Sequence, residues 1–369
     1  MSELTTASGN IVTELKLVPS LFLDKTIVLY GPTKTGKTVI VKNIMETVRD
    51  DIDQIIVVAP TEPTNQSYAG FVDPTLIHYR MCLPNPADKN DNDKKQRLKF
   101  LQTIWDRQEI LASCYVKANN VEVLEGLYNR LKHNDRKESR GYFHQMEKKK
   151  EQAMAKVKKL YEEGFREQKL KEVDERFNKM KTLLFKKFLT DHVNTLWNQN
   201  LTSAERISLQ YLHLNPRLLL IFDDCAAELK PFFNQDIFRK LFYQNRHSFI
   251  TVIMCCQDGT DLNPNLRKNA FVSIFTTLQT CTGYFQRDKF PKQTLNYVDE
   301  VCKKVYDVKH RKLAYIREDD RHKNYYHLIG KLPKPFIFGS DALKELCSKV
   351  GSKEIVMDKE NPFYEKFRV

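Results

Sequence analysis

The sequence predicts an α/β fold: a central, mostly parallel sheet flanked by helices, with a long helical insertion and a C-terminal β-hairpin. Three observations predict it. Gly31 to Thr38 form a glycine-bounded loop between a strand-like run and a helix-periodic run. Four further short apolar runs have the continuous texture of strands covered on both faces. From roughly Lys94 to Gln210 the chain instead becomes charged and helical, splitting the apolar runs into two groups.

In chain order, Thr26-Ile-Val-Leu-Tyr30 reads as a buried strand, and Val39, Ile40, Val41, Ile44, Met45 and Val48 recur at helical spacing after the loop. Gln54 to Ala59 is the second strand, ended by Pro60 and Pro63, and Pro84 to Asp93 is a polar loop. These place the N-terminal part of the core at residues 11–93 and the insertion at 94–210. Within the insertion, Glu147 to Lys187 hold 14 Lys/Arg against 8 Asp/Glu, which is +6 of the chain's +13. Leu170, Val173, Phe177, Met180 and Leu184 form a heptad-like stripe there, continued less regularly upstream by Met154, Val157, Tyr161 and Phe165. A helical hairpin packed on itself or on the core accounts for this stripe more simply than a dimeric coiled coil. Its basic face suits nucleic acid, and a solvated surface explains the same residues.

The core resumes over 211–330. Leu218 to Phe222, Phe249 to Met254 and Phe271 to Phe275 are strands, with a helix over Pro231 to Arg246 between the first two. Leu313 to Ile316 and Tyr325 to Ile329 flank a polar turn and read as a hairpin. Residues 331–369 read as a basic, poorly patterned tail. No internal repeat is visible.

Composition narrows the class. The chain has 369 residues, 41% hydrophobic and 29% charged, enough for one large domain with an insertion or for two domains. A net charge of +13 favours a polyanionic partner, nucleic acid or an anionic surface. None of the eight cysteines forms a C-x-x-C pair, and Cys225, Cys255 and Cys256 fall inside apolar runs, so they read as buried free thiols. The N-terminal residues lack a signal-peptide pattern, and no run of 18 apolar residues offers a membrane span.

Gly-Pro-Thr-Lys-Thr-Gly-Lys-Thr matches the G-x-x-x-x-G-K-[ST] phosphate loop in full, in the strand–loop–helix context the motif requires. Backbone N–H groups over Gly31, Pro32, Thr33, Lys34, Thr35, Gly36, Lys37, Thr38 and Val39 (proline excepted) are the expected cradle for a nucleoside triphosphate. Lys37 reaches the β- and γ-phosphates, and Thr38 holds Mg2+. The metal's second ligand is expected at Asp223, ending the run Leu218-Leu-Leu-Ile-Phe-Asp-Asp224, with Asp224 preparing the attacking water. Two acids capping a helix are the alternative. Gln257, ending Phe249-Ile-Thr-Val-Ile-Met-Cys-Cys-Gln257, can bond both a γ-phosphate and a water, or lie at a strand end in solvent.

The phosphate loop, the strand ending in Asp-Asp, and Arg246-His247 leading into a strand ending in Gln257 together resemble the FtsK/HerA superfamily. More narrowly, they resemble the genome-packaging ATPases of nucleocytoplasmic large DNA viruses, the poxvirus-type branch. Asn263-Pro-Asn-Leu-Arg-Lys-Asn269 resembles the segment that follows the family's glutamine. The resemblance covers about 17–84 and 216–329 and leaves out the insertion. It implies a RecA-like P-loop NTPase sheet, a homo-oligomeric ring, and translocation of double-stranded DNA into a capsid driven by ATP hydrolysis. It further implies an arginine finger given in trans, for which Arg267 and Arg246 are the candidates, and a place in the virion or in the viral factory of the host cytoplasm. DNA, capsid protein and a nuclease are the candidate partners of the insertion. Two other classes stay open: a P-loop nucleoside or nucleotide kinase, and a nucleotide-switched scaffold.

Overall fold

The computed structural model describes residues 3–81, 93–287, 290–317 and 324–351. The polar loop read at 84–93, apart from Asp93, lies outside these, as do Cys82, part of the turn in the C-terminal hairpin, and the tail beyond 351. By contacts the chain divides into two compact units, Met1–Glu109 with Pro216–Val369, and Ile110–Asn215.

The first unit is built on a sheet of ten strands among the described residues. They are β1 (Glu3–Thr5), β2 (Ile11–Glu14), β3 (Thr26–Tyr30), β4 (Gln54–Val58), β5 (Ile77–His78), β6 (Leu218–Phe222), β7 (Ile250–Cys256), β8 (Val272–Phe275), β9 (Arg311–Ile316) and β10 (Tyr325–Ile329). Their order is β1-β2-β10-β9-β8-β3-β7-β6-β4-β5. From β8 to β5 every neighbouring pair is parallel, while β9 runs antiparallel to both β8 and β10. The hairpin therefore extends the sheet on the far side of β8.

Every residue of β3, β6 and β7 is buried, because helices cover both faces of the sheet. Side chains alternate between the two faces. Ile27 and Leu29 pack with Ile40, Val41, Ile44, Met45 and Val48 of α1 (Lys37–Val48). Val28 and Tyr30 face the other way, into a cluster that includes Phe222, Phe238, Phe275 and Tyr284. Phe100, Leu101, Ile104 and Trp105 join that second cluster from the first half of α2 (Asp93–Ala118).

Several elements differ from the sequence reading. The helix expected over Pro231 to Arg246 is broken: α-helix spans only Asp236–Tyr243, between 3-10 turns at Lys230–Phe232 and Asn245–Ser248. Gln235 is extended, and the helix begins at Asp236, whose carboxylate suits the positive helix end. The region read as an unpatterned tail contains a helix, Asp341–Gly351. The short strands β1, β2 and β5, and the helices Leu278–Arg287 and Lys292–Tyr306, were not read at all.

The second unit is helical. Lys137–Leu160 and Glu163–Thr190 pair as a hairpin. Of the heptad-like stripe, Phe177 is buried and Leu170, Val173 and Leu184 are half-buried, but Met180 is 40% exposed. Further along, the buried line moves to Phe185 and Leu189. Phe185 packs on Tyr128 of the helix Val121–Asn129, so a second neighbour shifts the seam. A bidentate pair from Arg130 to Glu205, at 2.8 and 3.0 Å, ties that helix to the one at Ser203–Gln210.

Leu220 is fully buried at the centre of β6. Leu220→Ala should cost about 2–5 kcal/mol through lost contact and a residual cavity. The expected readout is a lower urea midpoint for the sheet unit.

Candidate nucleotide-binding site

Three neighbouring strands end together. Tyr30 pairs with Cys256, and Phe222 pairs with Met254, so the residues that follow emerge at one end of the sheet. Those residues are Gly31, Gln257 and Asp223. The Gly31 N–H donates to the Cys256 carbonyl at 3.1 Å, and the Asp223 N–H to the Val58 carbonyl at 2.9 Å.

The loop needs its glycines for two separate reasons. A Cβ on Gly31 would overlap the hydroxyl of Thr276, which lies 2.6 Å from the Thr35 hydroxyl and braces the loop. Gly36 has φ +92°, a left-handed conformation that costs other residues energy, and it leads directly into α1. Lys34 also takes positive φ, +65°. The Lys37 ammonium lies across the loop, donating to the carbonyls of Gly31 at 2.5 Å and Pro32 at 3.0 Å. Phosphate oxygens would take over those donors.

Asp223 is 8% exposed, and its Oδ2 accepts from the Tyr68 hydroxyl at 2.8 Å and from Thr38 Oγ1 at 3.5 Å. Tyr68 is fully buried, and its backbone N–H donates to Glu62 Oε1 at 2.8 Å. Burial, then the adjacent Asp223 charge, pushes the Tyr68 phenol well above its ordinary range, so it remains a donor. Burial and Asp223 likewise push the Cys225 and Cys255 thiols up, which keeps both neutral.

Asp224 differs from its neighbour. It is exposed and adopts φ +55°, a strained backbone for a residue with a Cβ. Its Oδ1 accepts from Gln257 Nε2 at 3.4 Å, which joins the ends of β6 and β7. The Gln257 N–H donates to Asp261 Oδ2 at 2.7 Å.

Lys37, Thr38, Asp223, Asp224 and Gln257 thus stand at one end of the sheet. Thr33, Lys34, Gly36 and Val39 join four of these around a cleft of 240 Å³, with Thr61, Asn65 and Ser67 on its other wall. Sequence reading missed these last three, together with Tyr68 and Glu62. One signal was available: they follow β4, and ligands in open α/β sheets bind beyond the carboxyl ends of strands.

The two arginines do not join the group. Arg267 is 5% exposed, and its guanidinium donates to the Gly259 carbonyl and lies over the Tyr284 ring. Arg246 is exposed and precedes β7, at the end of the sheet opposite the loop.

The oxygens of Thr38 and Asp223 fit Mg2+. Two adjacent ligands in an octahedron with bonds of roughly 2.1 Å stand about 3 Å apart, and these stand 3.5 Å apart. A hydroxyl and one carboxylate leave the remaining positions to phosphate and water. Among the described residues no cluster of three or more His, Cys, Asp or Glu could hold a metal ion.

One strand, β7, separates the loop-bearing strand β3 from the acid-bearing strand β6, and this layout defines a RecA-like P-loop protein. No family model matches the chain. It is 47% identical over 368 residues, 99% of both sequences, to protein B354L of African swine fever virus isolate Pig/Kenya/KEN-50/1950. The figures are the same for B354L of strain Badajoz 1971 Vero-adapted. The chain belongs to the B354L family of African swine fever virus proteins. Among solved structures it is similar to B204, the DNA-packaging ATPase of Sulfolobus turreted icosahedral virus, at 14% identity and TM-score 0.36, covering 85% of this chain and 98% of that one. It is also similar to the plasmid coupling protein TrwB in complex with a GTP analogue, at 12% identity and TM-score 0.35, covering 92% and 97%.

Tyr68→Phe keeps the buried ring but removes the donor to Asp223. It should lower stability by about 1.5–3 kcal/mol, the range for hydrogen bonds to charged groups. Denaturation of the nucleotide-free protein at neutral pH measures this directly.

Proposed function

We propose that the chain is an ATPase that translocates double-stranded DNA into a viral capsid, working as a ring-shaped homo-oligomer in the virion or the viral factory. The observation that carries the catalytic part is the meeting of Lys37, Thr38 and Asp223 with Asp224 and Gln257, across the ends of three adjacent strands. Mg2+ held by Thr38 and Asp223 would neutralise charge on the β- and γ-phosphates. Lys37 and the loop N–H groups orient the triphosphate. Asp224, held by Gln257, faces solvent, where it can accept a proton from water aimed at the γ-phosphate.

Gln257 couples this chemistry to the chain. Its side chain meets Asp224, and its backbone is fixed by Asp261 in a turn that also holds Asp258 and its ion pair with Arg287. Loss of a γ-phosphate would free the glutamine side chain at the head of β7. The net charge of +13 suits a duplex held through phosphates, with affinity falling steeply as salt rises. An arginine finger in trans fits the FtsK/HerA-like pattern. Of the two candidates, Arg246 is exposed, whereas Arg267 is used inside its own chain.

Lys37→Ala should abolish ATP binding in a fluorescence titration. Asp224→Asn should bind ATP as the wild type does and lose hydrolysis by 100-fold or more, on the order of a general base's contribution. ATPase rate per subunit, measured against protein concentration with and without duplex DNA, tests the motor: it should rise with both. Turnover that requires an added nucleoside would instead identify a kinase, and slow turnover indifferent to DNA a switch.

A further inference from the structure

Lys312 is a buried lysine beside the phosphate loop for which the chemistry above has no use. Leu313 pairs with Phe275, and Phe275 with Tyr30, so the preceding residue of the antiparallel β9, Lys312, reaches the end of the sheet from which the loop rises. Ala314 and Ile316 share a face with Ile40 and Val41 of α1, and alternation puts Lys312 on that face too. Its Cε and Nζ lie 3.8 and 4.0 Å from where a Cβ on Gly36 would stand. The residue is only 7% exposed.

Among the described residues nothing offsets this charge. No ion pair or hydrogen bond of the ammonium occurs among the described residues. Burial alone sets the direction in which its pKa moves, which is down. The start of α1 adds its own partial positive charge, and Lys37 stands next to Gly36. A cation in these surroundings is unfavourable until an anion arrives.

We propose that Lys312 is a nucleotide-binding residue, a second ammonium for the phosphate chain supplied by the C-terminal hairpin. The inference rests on the nucleotide-binding reading and adds a contact to it. The cleft that holds Asp223 and Asp224 is lined by Gly36, which Lys312 faces, but not by Lys312 itself. Off the wall that carries the two acids, Lys312 is assigned to the phosphates that ATP and ADP have in common. It contributes uniform binding rather than transition-state stabilisation.

The test titrates the full-length protein with fluorescent ATP and ADP analogues in Mg2+, comparing wild type, Lys312→Met, Lys312→Arg and Lys37→Ala. Lys312→Met should weaken both nucleotides by a similar factor, on the order of tenfold to a hundredfold for one charge-assisted contact. It should also raise the melting temperature of the nucleotide-free protein, because an unpaired buried charge is gone. Lys312→Arg should keep most of the affinity. Unchanged binding in Lys312→Met, or a lower nucleotide-free melting temperature, overturns the proposal. If wild type and Lys37→Ala bind alike, or neither binds, the underlying nucleotide reading fails instead.

Discussion

The site depends on the register of three parallel strands. Because β3, β7 and β6 are locked side by side, a glycine turn, a glutamine and a pair of acids leave the sheet within reach of one another. A slip of one residue in β6 would turn Asp223 to the opposite face and bury Asp224 in its place. The register is held by apolar burial on both faces, since β3, β6 and β7 carry no exposed residue. Core packing is here the mechanism that positions charge.

Around that frame the unfavourable features collect at the same end. Asp224 sits at positive φ, Asp223 is a nearly buried carboxylate, and Lys37 folds onto backbone carbonyls. Tyr68 and Thr38 answer Asp223, while Gln257 answers Asp224. Lys312 has no such answer among the described residues. Such local costs persist only where the surrounding structure overrides them, and they concentrate where ligands act.

The central strands and the phosphate loop were legible because each carries a local signal. Continuous apolar runs marked β3, β4, β6, β7 and β8, and the phosphate-loop motif specifies its own flanks. The C-terminal hairpin was readable from two strand-like runs, Leu313 to Ile316 and Tyr325 to Ile329, flanking a polar turn. What was missed lacks such a signal. Strands β1, β2 and β5 hold two to four residues each, too few for a period to emerge. Asp341–Gly351 is a short helix beyond two prolines in a segment rich in lysine. Tyr68 and Lys312 are ordinary residues until the fold brings them from 155 and about 275 positions away to Asp223 and to Gly36. The stripe on the insertion was half right because a third helix enters its seam at Phe185.

The central claim is that a triphosphate seats on the loop with its metal between Thr38 and Asp223. Anomalous diffraction from crystals grown with Mn2+ and a non-hydrolysable ATP analogue addresses it most directly. The account predicts one strong manganese peak bridging Thr38 Oγ1, Asp223 and the terminal phosphates. Manganese or nucleotide bound elsewhere on the chain, with the loop empty, would contradict it.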